Sequence, residues 1–244
     1  MNVGDIERRT GPAQGAAAAS YDAGLRQHML GIYNYMFAGL GLSGASAFLL
    51  AQTGAGAIFF NGQGQFTPLG WIAMLAPLGL LLIASFNAAR LSTGAVHGVY
   101  WSLSALQGVG LAVLFQAFSG QSIAQIFFVT AAAFGALSLY GYTTQRSLSG
   151  MSTFLMVGLV GVVIAFIVNL FVQSSLLQFV ASVIGVLVFA GLTAFDTQRL
   201  KHEYTEGLAG EAAMKAQVWG ALSLYLNFIN LFQLLLSLFG QREE

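Results

Sequence analysis

No cysteine occurs among the 244 residues of the chain. Disulfides, thiol catalysis and thiolate metal sites are thereby excluded, although the lack of cysteine does not fix a compartment. Charge is almost as scarce: Asp, Glu, Lys and Arg make up 7% of the residues, against about 25% in ordinary soluble domains. The nine basic and nine acidic side chains cancel, so no basic field exists to attract nucleic acid. No phosphate-binding glycine loop or basic-aromatic patch takes its place, and nucleic acid is not expected as a partner.

What fills the chain instead is apolar. Hydrophobic residues account for 57% of it and the mean hydropathy is +0.74. Seven stretches, at 30–51, 68–89, 95–118, 122–143, 152–172, 176–198 and 216–239, approach or exceed the roughly 20 residues a helix needs to cross the hydrocarbon core. A β-barrel would alternate apolar and polar residues, whereas Val157 to Val168 is almost continuously apolar. The sequence therefore predicts an all-α integral membrane protein with seven transmembrane helices set in a lipid bilayer. The expected organisation is a flexible N-terminal tail over 1–28, a seven-helix domain over 29–240 and a short C-terminal tail over 241–244. The N-terminal segment carries Arg8 and Arg9 but no compact apolar core, so it reads as a tail and not as a cleaved signal.

Basic residues fall on alternate connections. Arg8, Arg9 and Arg26 precede the first stretch, Arg90 follows the second, Arg146 the fourth, and Arg199, Lys201 and Lys215 lie around the sixth-to-seventh connection. The connections at 52–67, 119–121 and 173–175 carry no Lys or Arg. Because Lys and Arg favour the cytoplasmic side in short loops, the N-terminus is expected inside and the C-terminus outside, with Arg242 mildly opposing the latter. Short loops force neighbouring stretches into antiparallel hairpins. Small residues at four-residue spacing, Gly94/Gly98, Ser104/Gly108, Ala132/Ala136 and Ala181/Gly185, are candidates for close helix packing.

Against this background Asp196 is the one acid that interrupts an apolar stretch. Ionisable groups at membrane depth are costly and mark ion pathways, proton relays or paired latches. Placed in the last helical turn, it would face the negative end of the helix dipole and need a cation or a proton. Arg90, at the end of the second stretch, and Asn227 with Asn230, on one face of the seventh, fall in the same half of the bundle. Plainer readings stand beside a functional cluster. Arg90 can snorkel to the interface, Asp196 can pair locally with Arg199 or Lys201, and the two amides can simply join helices. His28 and His97 are isolated at stretch ends. His202-Glu203 begins like a zinc-protease motif, but the second histidine position is Glu206. No nucleophile, base and acid fall together within the membrane stretches, so no enzyme activity and no resident cofactor are expected.

Three segments carry a resemblance. Leu25-Arg26-Gln27-His28-Met29-Leu30-Gly31-Ile32-Tyr33-Asn34-Tyr35-Met36, the stretch from Phe189 to Arg199, and Leu224-Tyr225-Leu226-Asn227-Phe228-Ile229-Asn230-Leu231-Phe232 resemble the transmembrane Bax inhibitor motif, or Bax inhibitor-1, family and in particular its bacterial members. The likeness runs from about residue 25 to 239. It implies a seven-helix bundle whose last helix is central and wrapped by the other six, in a bacterial inner membrane. It also implies a pH-sensitive calcium leak, in which aspartates on the sixth and seventh helices share a proton and engage an arginine on the second. Asp196 matches the first aspartate by motif and Arg90 matches the arginine by position, while the second aspartate falls where this chain has Asn227.

That departure alters the chemistry, since two close carboxylates can share a proton whereas an acid beside an amide cannot. Asn227 is expected to hydrogen-bond Asp196, with Arg90 keeping the carboxylate ionised and the pathway shut over a wider pH range. Calcium takes six to eight oxygen ligands, so one carboxylate with amides implies weak, transient binding at Asp196. The leading expectation is a cation leak channel gated at Asp196, Asn227, Arg90 and Asn230. The alternative is a non-conducting regulatory protein that engages other membrane proteins, such as a membrane-bound quality-control protease, through its tail and the Lys201–Lys215 connection.

Overall fold

The computed structural model describes residues 3–59, 61, 65–87, 90–204 and 210–242, with side chains described from residue 19 onward except at 54 and 74. These residues form α1 (Val3–Gln52), α2 (Pro68–Phe86), α3 (Thr93–Ala112), the short α4 (Leu114–Ala117), α5 (Gly120–Thr143), α6 (Ser152–Val172), α7 (Ser175–Glu203) and α8 (Gly210–Phe239). Seven spans are long and apolar enough to cross a membrane, α3 and α4 together making one. No strand is present among the described residues; an isolated bridge pairs Phe118 with Arg242.

Local chemistry sets the helix starts. Thr67, Ser92, Ser119 and Ser174 each accept a backbone N–H from the first turn of the helix that follows, which satisfies donors that would otherwise be orphaned. Pro68 occupies the first turn of α2, where its missing N–H costs nothing. Gln173 ends α6 in the left-handed conformation and allows an abrupt reversal into α7. The short connections expected from the sequence are therefore built from caps.

Burial places α8 at the centre. Of its most apolar 18-residue window 61% is buried, against 11% to 39% for the other six spans. Helices α1, α3, α5 and α7 pack directly on α8, while α2 leans on α3 and α6 on α7 to complete the ring. The remaining apolar side chains face outward, as on α6, where Phe154, Val157, Ile164 and Phe171 are exposed. Such a surface is stable only against lipid.

A buried polar seam ties α1, α3 and α8 together. Ser43 Oγ lies 2.7 Å from the Tyr225 hydroxyl and 2.7 Å from the Ser104 carbonyl, and the Tyr100 hydroxyl donates to the Tyr35 carbonyl at 2.6 Å. At the far end the chain turns back on itself: Ser119 N–H donates to the Gln241 carbonyl at 3.1 Å and Gln241 N–H to Ser122 Oγ at 2.9 Å. The C-terminal segment is thereby held beside the start of α5.

Three expectations meet a different structure. Residues 1–28 read as a flexible tail, but from Val3 they continue the same helix as the first span, and Leu25 and His28 are buried in the bundle. The alanine-rich run 16–19 favours helix on the approach to the first span, and outweighs the breakers Gly11, Pro12 and Gly15 that precede it. Helix α7 extends to Glu203, five residues past the expected end, because Gln198 to Glu203 are mostly good helix formers. Of the small-residue pairs, Ser104/Gly108 and Ala181/Gly185 are at helix contacts, whereas Gly94 and Gly98 face open space and Ala132 and Ala136 are exposed.

Candidate functional site

Asp196 is 6% exposed and sits seven residues, roughly 10 Å, before the end of α7. It is thus not in the last turn as expected, and the helix dipole, which acts mainly within that turn, has little hold on it. Lys201 and His202 occupy the last turn instead. The partners of Asp196 are side chains. Its Oδ2 accepts hydrogen bonds from Ser223 Oγ and from Asn227 Nδ2, each at 2.7 Å, and Arg199 Nη2 lies 3.1 Å from Oδ1. Both carboxylate oxygens are therefore engaged, one by α8 and the other by a cation on the next turn of α7.

The geometry of two helices produces this cluster. On α8, Ser223, Asn227 and Asn230 are spaced four and three apart and share a face. On α7, Arg199 follows Asp196 by three residues and reaches Glu203 at 3.6 Å on its other side. A close approach of α5 fixes the depth of α7: a Cβ on Gly141 would collide with the Ala194 carbonyl, two residues before the acid. Gln198 adds a second anchor, accepting from Leu148 N–H at 2.7 Å and donating to the Arg146 carbonyl at 2.9 Å. Lys201 Nζ donates to the Tyr142 carbonyl at 2.8 Å.

Cavities meet at the same point. One of about 420 Å³ opens toward the end that carries the basic loops and is bordered by His28, Glu203 and Trp219. A second, of about 520 Å³, lies between α2 and α6 and reaches Asp196, Asn227 and Asn230. Leu81, Arg199, Ser223 and Leu226 border both. Arg199 and Ser223 thus stand between the two spaces, and Asp196, which they contact, borders the second.

Asn227 hydrogen-bonds Asp196 as expected from the sequence, whereas Asn230 borders the same cavity and bonds the Leu226 carbonyl of its own helix. Arg90 does not join them. It is exposed in the turn after α2, its backbone bonded to Asn87, with no ion pair among the described residues. The guanidinium on Asp196 comes from Arg199 because it is carried on the same helix one turn away, whereas α2 is packed on α3. Ser223 went unnoticed in the sequence; its spacing of four from Asn227 was the available signal. His28 packs near the Tyr204 ring and His97 near Tyr35. Glu206 lies outside the described residues. Among the described residues no three acids or histidines gather into a metal-binding group.

Residues 25–244 match the family described as "Inhibitor of apoptosis-promoting Bax1". The chain belongs to the Bax inhibitor-1 family. It is 46% identical over 234 residues to an uncharacterized protein of Caulobacter vibrioides, covering 93% of this chain and 94% of the relative. It is also 41% identical over 224 residues to the inner membrane protein YbhL of Escherichia coli, with 90% and 94% covered, and 39% identical over 235 residues to a Rickettsia prowazekii protein, with 92% and 94% covered. The match of the family begins at Leu25, the first buried residue of α1 among the described side chains. Membership covers every span, so the Bax inhibitor-1 frame applies to the whole bundle.

Proposed function

We propose that the chain is a cation leak pathway, calcium included, in a bacterial inner membrane, with the N-terminus and the basic loops cytoplasmic. The observation that carries this reading is that Asp196 borders one of two neighbouring cavities while its partners Arg199 and Ser223 border both. A carboxylate there attracts cations, and Arg199 occupies the place a permeating cation would take. With Arg199 seated, the positive charge is already supplied and the path is shut. Displacement of the guanidinium opens it. Asn227 supports the closed state by donating to Oδ2, which it does at any pH in the working range. An aspartate at that position could donate only when protonated, so the native chain is expected to respond weakly to pH.

Transport needs no resident cofactor and no catalysis on this reading. Calcium would be cargo, held by one carboxylate with hydroxyl and amide oxygens, a set too small for tight binding and suited to release.

Reconstitution in liposomes loaded with a calcium-sensitive dye tests this directly. Asp196→Asn is expected to change the flux by about an order of magnitude, which corresponds to roughly 1.4 kcal/mol in the barrier. Asn227→Asp is expected to add a pH response between pH 5 and 8 that the native chain lacks, because it restores a carboxylate pair able to share one proton. If correctly folded wild type and both variants leak no faster than empty liposomes, the reading is wrong. The family member would then act without conducting, through membrane-protein partners.

A further inference from the structure

The polar side chains of α8 do not stop at Asn230. Ser223, Asn227, Asn230, Gln233 and Ser237 form a stripe along one side of the helix, 14 residues or roughly 21 Å in length. Its outer part borders a separate cavity of about 290 Å³ between α6, α7 and α8, with Ser182 on the opposite wall. Asn230 borders both this space and the one that holds Asp196.

Two observations separate this stripe from amides that merely join helices. Asn230 Nδ2 donates to the Leu226 carbonyl of its own helix at 2.8 Å, and neither Gln233 nor Ser237 hydrogen-bonds another helix among the described residues. Ser182 is 1% exposed, and its hydroxyl has no hydrogen-bond partner. A buried hydroxyl left unpaired is costly unless water reaches it. The adjoining cavity has room for several waters at about 30 Å³ each, and carries the two to four polar groups that a bound water needs.

We propose that Ser182, Asn230, Gln233 and Ser237 build a water-filled outer chamber that holds a partly hydrated cation on the side of Asp196 away from the basic loops. The inference rests on the leak reading above and supplies the missing half of its route. The chamber offers neutral oxygens in place of hydration water and no charge of its own, so an ion is accommodated and readily released. Leu159, Val163 and Phe189 border this space as well as the Asp196 cavity, so the two spaces adjoin along apolar side chains.

The absence of native cysteine makes the test clean, because any single cysteine introduced is the only thiol. Gln233→Cys, Ser237→Cys and the outward-facing control Leu187→Cys, a residue 67% exposed on α7, are reconstituted and treated with a membrane-impermeant cationic thiol reagent added opposite the basic loops. Gln233→Cys and Ser237→Cys are expected to react at least an order of magnitude faster than Leu187→Cys. Calcium chloride at tens of millimolar is expected to slow the reaction of Gln233→Cys. A Gln233→Cys rate no higher than that of Leu187→Cys overturns the chamber, and a fast rate that calcium does not slow overturns the cation assignment. The two readings fail separately: flux that depends on Asp196 with an unreactive Gln233→Cys removes the chamber and keeps the leak. Reactivity without any flux removes the leak, and the cation's route with it.

Discussion

The structure joins Asp196 to Arg199 at 3.1 Å on one helix, and Arg90 is exposed in the turn that follows α2. Replacing Arg199 by Gln removes the guanidinium from the partition and leaves the carboxylate for a permeating cation. Liposome flux is expected to rise by about ten-fold, the equivalent of roughly 1.4 kcal/mol, while Arg90→Gln stays near wild type. Equal effects of the two variants would show that the α2 arginine visits Asp196 after all. Ser182 makes a second residue-scale case. Because no protein group pairs with its hydroxyl, Ser182→Ala is expected to leave the melting temperature near that of wild type. The same change removes an oxygen from the outer chamber and should lower flux. A fall in both would assign Ser182 to packing alone.

At the scale of elements, the α5–α7 crossing decides where Asp196 stands. Gly141 lies against the Ala194 backbone, so a side chain there must push the helices apart. Gly141→Val is expected to destabilise by about 1–3 kcal/mol, as overpacked interiors do. Gly135→Val, on the same helix but facing open space, should be neutral in the same thermal-unfolding measurement in detergent. Since the Asp196 contacts depend on this depth, Gly141→Val should also disturb flux. Helix α2 is the opposite case. It packs on α3 alone among its main neighbours, so its inner face, Pro77 and Leu78 included, borders the cavity beside Asp196 and does not fill it.

For the whole molecule, the alternation of basic loops predicts which end faces the cytoplasm. Single cysteines at the exposed Ser147, between α5 and α6, and at Ser175, where α7 begins, report the two sides. In right-side-out cells an impermeant thiol reagent is expected to label Ser175→Cys and to spare Ser147→Cys. The reverse pattern would invert the orientation and place the Asp196 vestibule outside. The long α1 belongs to the same scale, because a helix from Val3 to Gln52 is longer than the roughly 30 Å hydrocarbon core requires and continues beyond it at the basic end.

The sequence by itself determined the class and the count of spans, because each crossing demands an uninterrupted apolar run that leaves a trace in composition. It placed the starts of α2 and α6 but not those of α1 and α8, which begin at Val3 and Gly210, ahead of the apolar runs. It also singled out Asp196, Asn227 and Asn230, since polar groups are rare enough in such a chain to be conspicuous. Local pairing of Asp196 with Arg199 was one of the readings the sequence left open, and tertiary structure decided for it over Arg90. Both Arg90 and Arg199 lie near the same end in sequence, and the choice turns on the three-residue offset along α7 and on the attachment of α2 to α3. The length of α7 was likewise hidden, because helix propensity carries it past the point where hydrophobicity ends. Ser223 and Ser182 were invisible for a related reason. Serine is unremarkable in a membrane helix, and only the packing of α7 against α8 turns one into a donor to a carboxylate and leaves the other facing an unfilled space.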